Sequence, residues 1–460
     1  MVTMVHVDEV GTARRWAMLA IALGSTAGAN VFINGVAFLI PALHAERGLD
    51  LANAGLLSAM PSFGMVLTLI AWGALIDKFG ERIALVSGLA LTAVAAFAAA
   101  ESPSLTVTGA FLLLGGAAAA ACNSASGRVV VGWFPPHQRG TVMGIRQMAQ
   151  PLGVAAGALV IPRIAEGHGV ATALLFPAIV CAVSSAVCLV GIIDPPRPPR
   201  SEAPEEHLAN PYRGSRVLWL IHGVSVLLVV PQVVVWTFTL VWLVTDRGWS
   251  IGAASVMVTV AQLVGALGRV AAGMWSDRWG SRMRPIRAIA AAASATMALL
   301  AVTNQLDWSV SVVVMLVASV ITVSDNGLAY TSIAEIAGPF WSGRALGAQN
   351  TGQLLAAAVA PPIFGAIAAA AGFSAAFAVC ALFPLAAVGL VPVKLERQTP
   401  NAECEPGADL PRARLAFDQD YRKLAIRSPV AEVDSFPSPR VARCCSTAFS
   451  TRAAASVSPR

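Results

Sequence analysis

Apolar runs of roughly 20 residues follow one another along most of this chain, and a run of that length with almost no charge matches the hydrocarbon core of a bilayer. Twelve are expected, at about 16–43, 53–76, 83–100, 105–133, 141–163 and 169–192, then about 216–244, 251–275, 286–303, 309–336, 345–371 and 373–393. Lipid offers no partner to backbone N–H and C=O groups, so each run must be helical, and the fold class is an all-α membrane protein with twelve transmembrane helices. The composition agrees: 56% of the 460 residues are hydrophobic and 12% charged, against roughly 25% charged in a soluble domain. The net charge of +6 is dispersed over short loops between the runs, so no nucleic-acid partner is expected.

One short segment occurs twice, each time between two apolar runs: Gly73-Ala-Leu-Ile-Asp77-Lys78-Phe-Gly80-Glu-Arg82 and Gly273-Met-Trp-Ser-Asp277-Arg278-Trp-Gly280-Ser-Arg282. Glycine lets helix ends approach and turn sharply, aspartate can pair with a cation or face a helix N-terminus, and the cations suit an anionic headgroup layer. The duplication goes further, because a shift of 203 residues places Gly144 on Gly347, Gln147 on Asn350, Gln150 on Gln353 and Asn123 on Asn326. Two pseudo-symmetric six-helix halves are expected, at 16–193 and 216–393. They flank a proline-rich cytoplasmic linker at 194–215, with a cytoplasmic N-terminus at 1–15 and a polar, disordered cytoplasmic tail at 394–460. With the N-terminus inside, inner segments carry fourteen lysines and arginines and outer loops three (Arg47, Arg163 and Arg247). The first run is too long for a signal-peptide core and is expected to be an uncleaved span. Seven cysteines show no spacing typical of a metal site or disulfide framework.

The pattern Gly-x-Leu-x-Asp-Lys/Arg-x-Gly-x-Arg between the second and third spans resembles the hallmark loop of the major facilitator superfamily of secondary transporters. Gly73, Leu75, Asp77, Lys78, Gly80 and Arg82 match it, and Gly273, Asp277, Arg278, Gly280 and Arg282 form the looser copy expected between spans eight and nine, with Trp275 in place of leucine. The resemblance covers about residues 12–395 and implies alternating access, with one half rocking against the other around a midplane site. It also implies that both hairpins act as gating loops at the cytoplasmic face.

An ionisable side chain within a membrane span costs several kcal/mol and is a functional candidate by default. Arg269, eight residues before Asp277, lies about 12 Å deep in the eighth span with Gln262 one heptad away. It is similar to the anion-binding arginine of the superfamily's oxalate, monocarboxylate and nitrate branches, and a guanidinium can hold a carboxylate by two parallel hydrogen bonds. A structural ion pair is the alternative. Asp325 in the tenth span is its natural counterpart, either loading and releasing a proton during the cycle or neutralising Arg269. Arg146, with Gln147 and Gln150, either lines the cavity or snorkels to the inner headgroups; Arg128 is expected to snorkel or to pair with Asp77. Asn30, Asn34, Asn123, Trp236, Asn326, Tyr330, Gln349, Asn350 and Gln353 complete the substrate-binding set, while Glu335 is expected at a gate or interface. Gln150-Pro151-Leu-Gly153 is similar to the Gly-Pro-x-Gly-Gly element of drug/proton antiporters, but glutamine replaces the first glycine and Phe111 to Gly116 lacks their arginine.

No phosphate-cradling Gly-rich loop and no metal-ligand cluster occurs, so neither ATP coupling, a cofactor, a metal nor enzymatic activity is expected. The expected function is secondary active transport of a small organic or inorganic anion, coupled to H+, by a monomer in the plasma or inner membrane. Proton-driven multidrug efflux is one alternative. A transport-dead sensor signalling through the tail is another.

Overall fold

The computed structural model describes residues 10–47, 49, 51–197, 201–214 and 216–396; residues 1–9 and the tail from 397, with Cys404, Cys444 and Cys445, lie outside it. In chain order the helices are α1 (Thr12–Gly35), which runs through a 3-10 turn at Val36–Leu39 into α2 (Ile40–Arg47), α3 (Leu51–Phe79), α4 (Glu81–Ala100), α5 (Leu105–Trp133), α6 (Pro136–Arg146) and α7 (Ala149–Gly191). The linker holds α8 (Glu205–Leu208) and α9 (Pro211–Gly214). After it come α10 (Val217–Thr245), α11 (Ile251–Trp279), α12 (Met283–Gln305), α13 (Ser311–Ile321), α14 (Asn326–Ala337), α15 (Ser342–Leu390) and α16 (Val393–Glu396).

Among the described residues, 10 helical stretches are long and apolar enough to cross a membrane. Two, Pro136–Gly191 and Ser342–Glu396, run to 56 and 55 residues, far beyond the roughly 20 that one crossing needs. Each turns at a single glycine: Gly169 in α7 has φ 83° and Gly372 in α15 has φ 82°. A left-handed φ with an extended ψ is open to glycine and strained for any other residue. These two positions, again 203 apart, coincide with the gaps expected at 163/169 and 371/373; the chain turns there with hardly any loop.

The helices before the linker pack among themselves, α1 along α7, α3 along α5, and α4 along both α5 and α7; after it, α10 and α12 pack along α15. The two sets meet chiefly where α3 lies on α15 and α6 on α11. Those crossings are close because glycine meets glycine. A Cβ on Gly73 would sit 2.3 Å from the Gly343 oxygen, and one on Gly273 would sit 2.2 Å from the Gly140 oxygen, so no larger residue fits either place.

The aspartate of each repeated hairpin then bonds across the crossing. Asp77 accepts from the Gly343 and Arg344 amides at 2.8 and 3.0 Å, at the start of α15 where backbone donors have no intrahelical partner. Asp277 accepts from the Gly140 and Thr141 amides at 3.0 and 2.7 Å near the start of α6, and from the Thr141 hydroxyl at 2.6 Å. Thus this end of the bundle is shut by two crossed closures, each with its carboxylate on one set and its amide donors on the other.

Overpacking a tight contact costs about 1–3 kcal/mol. Gly273→Leu is therefore expected to open the α6–α11 crossing, lengthening the distance between spin labels on the exposed His137 and Arg278. Gly24→Ala, where an added methyl meets nothing within 4 Å, is expected to leave that distance unchanged.

Candidate functional site

Charge at the closed end is organised in two networks. In the first, Arg128 donates to Asp77 at 3.0 Å and to Glu81 at 2.6 Å, and also to the Pro339 carbonyl, so of its two expected placements the structure gives the ion pair. Arg197 from the linker donates to Glu81 at 2.5 Å and to the last carbonyls of α3 at Ile76 and Asp77. Arg344 completes it, donating from Nε to Asp77 at 3.0 Å while its guanidinium lies 4.0 Å from the Trp341 ring centroid. The Trp341 indole N–H in turn donates to the Leu208 carbonyl of the linker. In the second network, Arg282 donates to Asp277 at 2.5 Å and to Glu335 at 3.3 Å, and Arg139 lies 3.6 Å from Glu335. Burial works against the charge on Arg282, but Glu335 and Asp277 outweigh it and hold the guanidinium pKa above its ordinary value.

The other hairpin residues are local. Gly80 (φ 99°) and Gly280 (φ 59°) make the two turns. The Arg82 amide donates to Asp194 at 2.7 Å just past α7, and the Arg282 amide donates to Glu396 at 2.6 Å in α16. Burial and the nearby Glu81 carboxylate push the Asp194 pKa up. Lys78 stacks on Phe79, and Arg278 is exposed.

Between the two sets lies a cavity of about 130 Å³. Of the residues singled out from sequence, Asn30, Asn123, Arg146, Gln147, Gln150, Trp236, Asn326, Tyr330, Asn350 and Gln353 line it, together with Gln232, Thr26, Met65 and several aliphatic side chains. Asn123 with Asn326, Gln147 with Asn350 and Gln150 with Gln353 are the repeat-related pairs, so internal symmetry brings three pairs of amides to one chamber.

Arg146 is the one charged residue in the lining, and it is 3% exposed. Its Nε and Nη2 donate to the Ser126 hydroxyl at 2.9 and 2.8 Å, Nη2 also reaches the Asn123 carbonyl, Nη1 reaches the Gln147 side-chain oxygen, and the Tyr330 ring centroid lies 5.8 Å away. Every one of these partners is neutral. Across the chamber, Tyr330 donates to Asn350 and Gln353 at 2.6 and 2.9 Å, Gln353 donates to Asn326 at 3.2 Å, and Asn326 donates to Gln232 at 2.9 Å, forming a continuous chain.

Four of the residues expected at the substrate site, Arg269, Asn34, Gln262 and Gln349, stand outside this lining, as does Asp325, the carboxyl expected to couple protons. Arg269 is buried behind Trp236, whose ring centroid lies 5.9 Å from its guanidinium; Nη1 donates to the Gln147 carbonyl at 3.3 Å and Nε has no partner. Asp325 is 2% exposed at the start of α14, and no ion pair within 4.0 Å joins it to Arg269 among the described residues. Asn34 donates to the Asn30 carbonyl one turn back, and the Gln349 side-chain oxygen accepts from His222 Nδ1 at 2.7 Å, away from the chamber. Gln262 faces a smaller recess beside Trp236, Thr239 and Ser319. Ser126 and Met65 were not singled out from sequence, where a small hydroxyl and a methionine in an apolar span carry no distinguishing signal.

The comparisons with known proteins agree on the fold. An uncharacterised MFS-type transporter of Mycobacterium tuberculosis is 57% identical over 388 residues, covering 84% of this chain and 87% of that protein. Among solved structures, the E. coli fucose:proton symporter superposes with a TM-score of 0.65 at 15% identity, over 81% of this chain and 97% of that one. A human organic anion transporter superposes with a TM-score of 0.62 at 18% identity, over 82% and 99%. The sequence profile of the Major Facilitator Superfamily matches residues 18–360. The chain therefore belongs to the Major Facilitator Superfamily, and is a multi-pass membrane transporter rather than an enzyme.

Proposed function

We propose that this transporter carries a small organic or inorganic anion by alternating access, coupled to a proton. Its twelve spans form two six-helix halves, α1–α7 and α10–α15, with the turns at Gly169 and Gly372 each separating two spans. The termini and the hairpins of Asp77 and Asp277 face the cytoplasm of the cell membrane, and the protein works as a monomer. The crossed closures are the cytoplasmic gate, and release of both opens the chamber inward.

Arg146 is the observation that carries the anion reading. A buried guanidinium without a carboxylate partner is costly, and an anionic solute entering its chamber supplies the missing countercharge. A human organic anion transporter among the structural neighbours and a proton symporter among the others are consistent with this. Efflux of cationic drugs is disfavoured, since no Asp or Glu lines the cavity to hold a cation against Arg146. Arg269 stands one layer back, where movement of Trp236 would uncover it. Asp325, buried without an ion pair, is the proton-coupling carboxyl.

Uptake of labelled small carboxylates and inorganic anions into proteoliposomes, with and without an inward proton gradient, tests this. Loss of a hydrogen bond to a charged group is worth about 1.5–3 kcal/mol, so Arg146→Gln is expected to lower kcat/KM for the anion by about 10- to 150-fold. Gradient-driven movement of a cationic dye in place of any anion would sink the anion reading. In a second measurement, Asp325→Asn is expected to keep anion movement down its own gradient but to abolish stimulation by the proton gradient. Unaltered stimulation would remove Asp325 from the coupling.

A further inference from the structure

The chamber's chemistry specifies more than an anion. Its net charge is single: Arg146 is the only ionisable cation in the lining, and its counterpart under the 203-residue shift is the neutral Gln349, which turns to His222. A second carboxylate on the solute would meet no cation in that lining, while an uncharged solute would leave Arg146 without a counterion.

The remaining polar surface consists mainly of amides, eight of them. An amide offers both an acceptor oxygen and two N–H donors, and the group that matches both roles is a hydroxyl. An alkyl chain or a bare inorganic anion leaves part of this capacity unmet. The capacity is uneven. Gln232, Asn326, Gln353, Tyr330 and Asn350 of the C-terminal half are already bonded to one another. In the N-terminal half, Gln150 is exposed to the chamber without a protein partner, and the Asn123 amide donates only to the Met65 sulfur at 3.3 Å. Arg146 has five N–H donors, four of them engaged, one to the Gln147 side-chain oxygen that a carboxylate oxygen can replace.

We infer that the solute is a polyhydroxylated monocarboxylate held mainly by the N-terminal half. Its carboxylate takes the place of the Gln147 oxygen on Arg146, and its hydroxyls bond to Gln150 and Asn123. This rests on the anion reading above and narrows it.

The test compares four probes in proteoliposomes of the full-length protein: gluconate, with one carboxylate and hydroxyls along its chain; hexanoate, with the carboxylate alone; sorbitol, with the hydroxyls alone; and glucarate, with a carboxylate at each end. Saturable gluconate uptake is expected, with kcat/KM at least about tenfold above each of the other three: hexanoate leaves the amides unmet, sorbitol leaves Arg146 without a counterion, and glucarate brings a second carboxylate that no lining cation meets. Gln150→Leu is expected to narrow the gluconate-over-hexanoate ratio about tenfold; its monodispersity on size exclusion checks that it folds, and Gln150→Asn is expected to restore part of the ratio. Equal uptake of hexanoate and gluconate, or a ratio indifferent to Gln150→Leu, overturns the inference and leaves anion transport standing. Preferred uptake of glucarate overturns the single-carboxylate assignment. Uptake of sorbitol with none of the three acids would instead overturn the anion reading from which the inference starts.

Discussion

A carboxylate at the end of an apolar helix bundle must find partners, and Asp77 finds them on both sides of the molecule. Its side chain is 1% exposed, with Arg128 of α5 on one flank and Arg344 and two amides of α15 on the other. Breaking such a buried pair by removing one member costs about 3–5 kcal/mol, far above the 0–1 kcal/mol of a surface pair. The glycine contacts depend on the same arrangement: amide and carboxylate meet at 2.8 Å only because Gly73 and Gly343 let the helix backbones touch. Closure of the bundle at this end follows from that local chemistry.

The chamber reverses this logic. At the closed end each buried arginine has a carboxylate within 4.0 Å, whereas Arg146 has only hydroxyl, carbonyl and amide oxygens. Neutral acceptors satisfy its N–H groups without cancelling its charge. Charge is paired where the two helix sets cross, and left without a countercharge in the chamber.

Much of the architecture was legible in the sequence. Residues 105–133 are α5 as expected, and the gaps foreseen near 163/169 and 371/373 mark the turns at Gly169 and Gly372, because runs of apolar residues and punctuating glycines are local signals. Ten continuous apolar stretches appear in place of twelve because each of those turns needs one glycine and no loop. The orientation of polar residues within a helix was less legible. Gln349 and Asn350 are neighbours in sequence, but neighbours on a helix point about 100° apart, so one bonds to His222 and the other to Tyr330. Arg269 sits behind Trp236, a relation across two helices that no pattern along either one records. The pairing of linker Arg197 with Glu81 joins residues 116 apart in sequence, and depends on how the chain returns to the end of α3.

The crossed closures carry a consequence for symmetry. Each helix set contributes one carboxylate and one pair of amide donors, so the surface that shuts the bundle is self-complementary in the sense of a twofold dimer interface. The two contacts nonetheless differ: a shift of 203 sets Arg344 against Thr141, and only the arginine rests on a tryptophan that the linker holds through Leu208. The linker between the two helix sets is thus built into one of the two contacts and not the other.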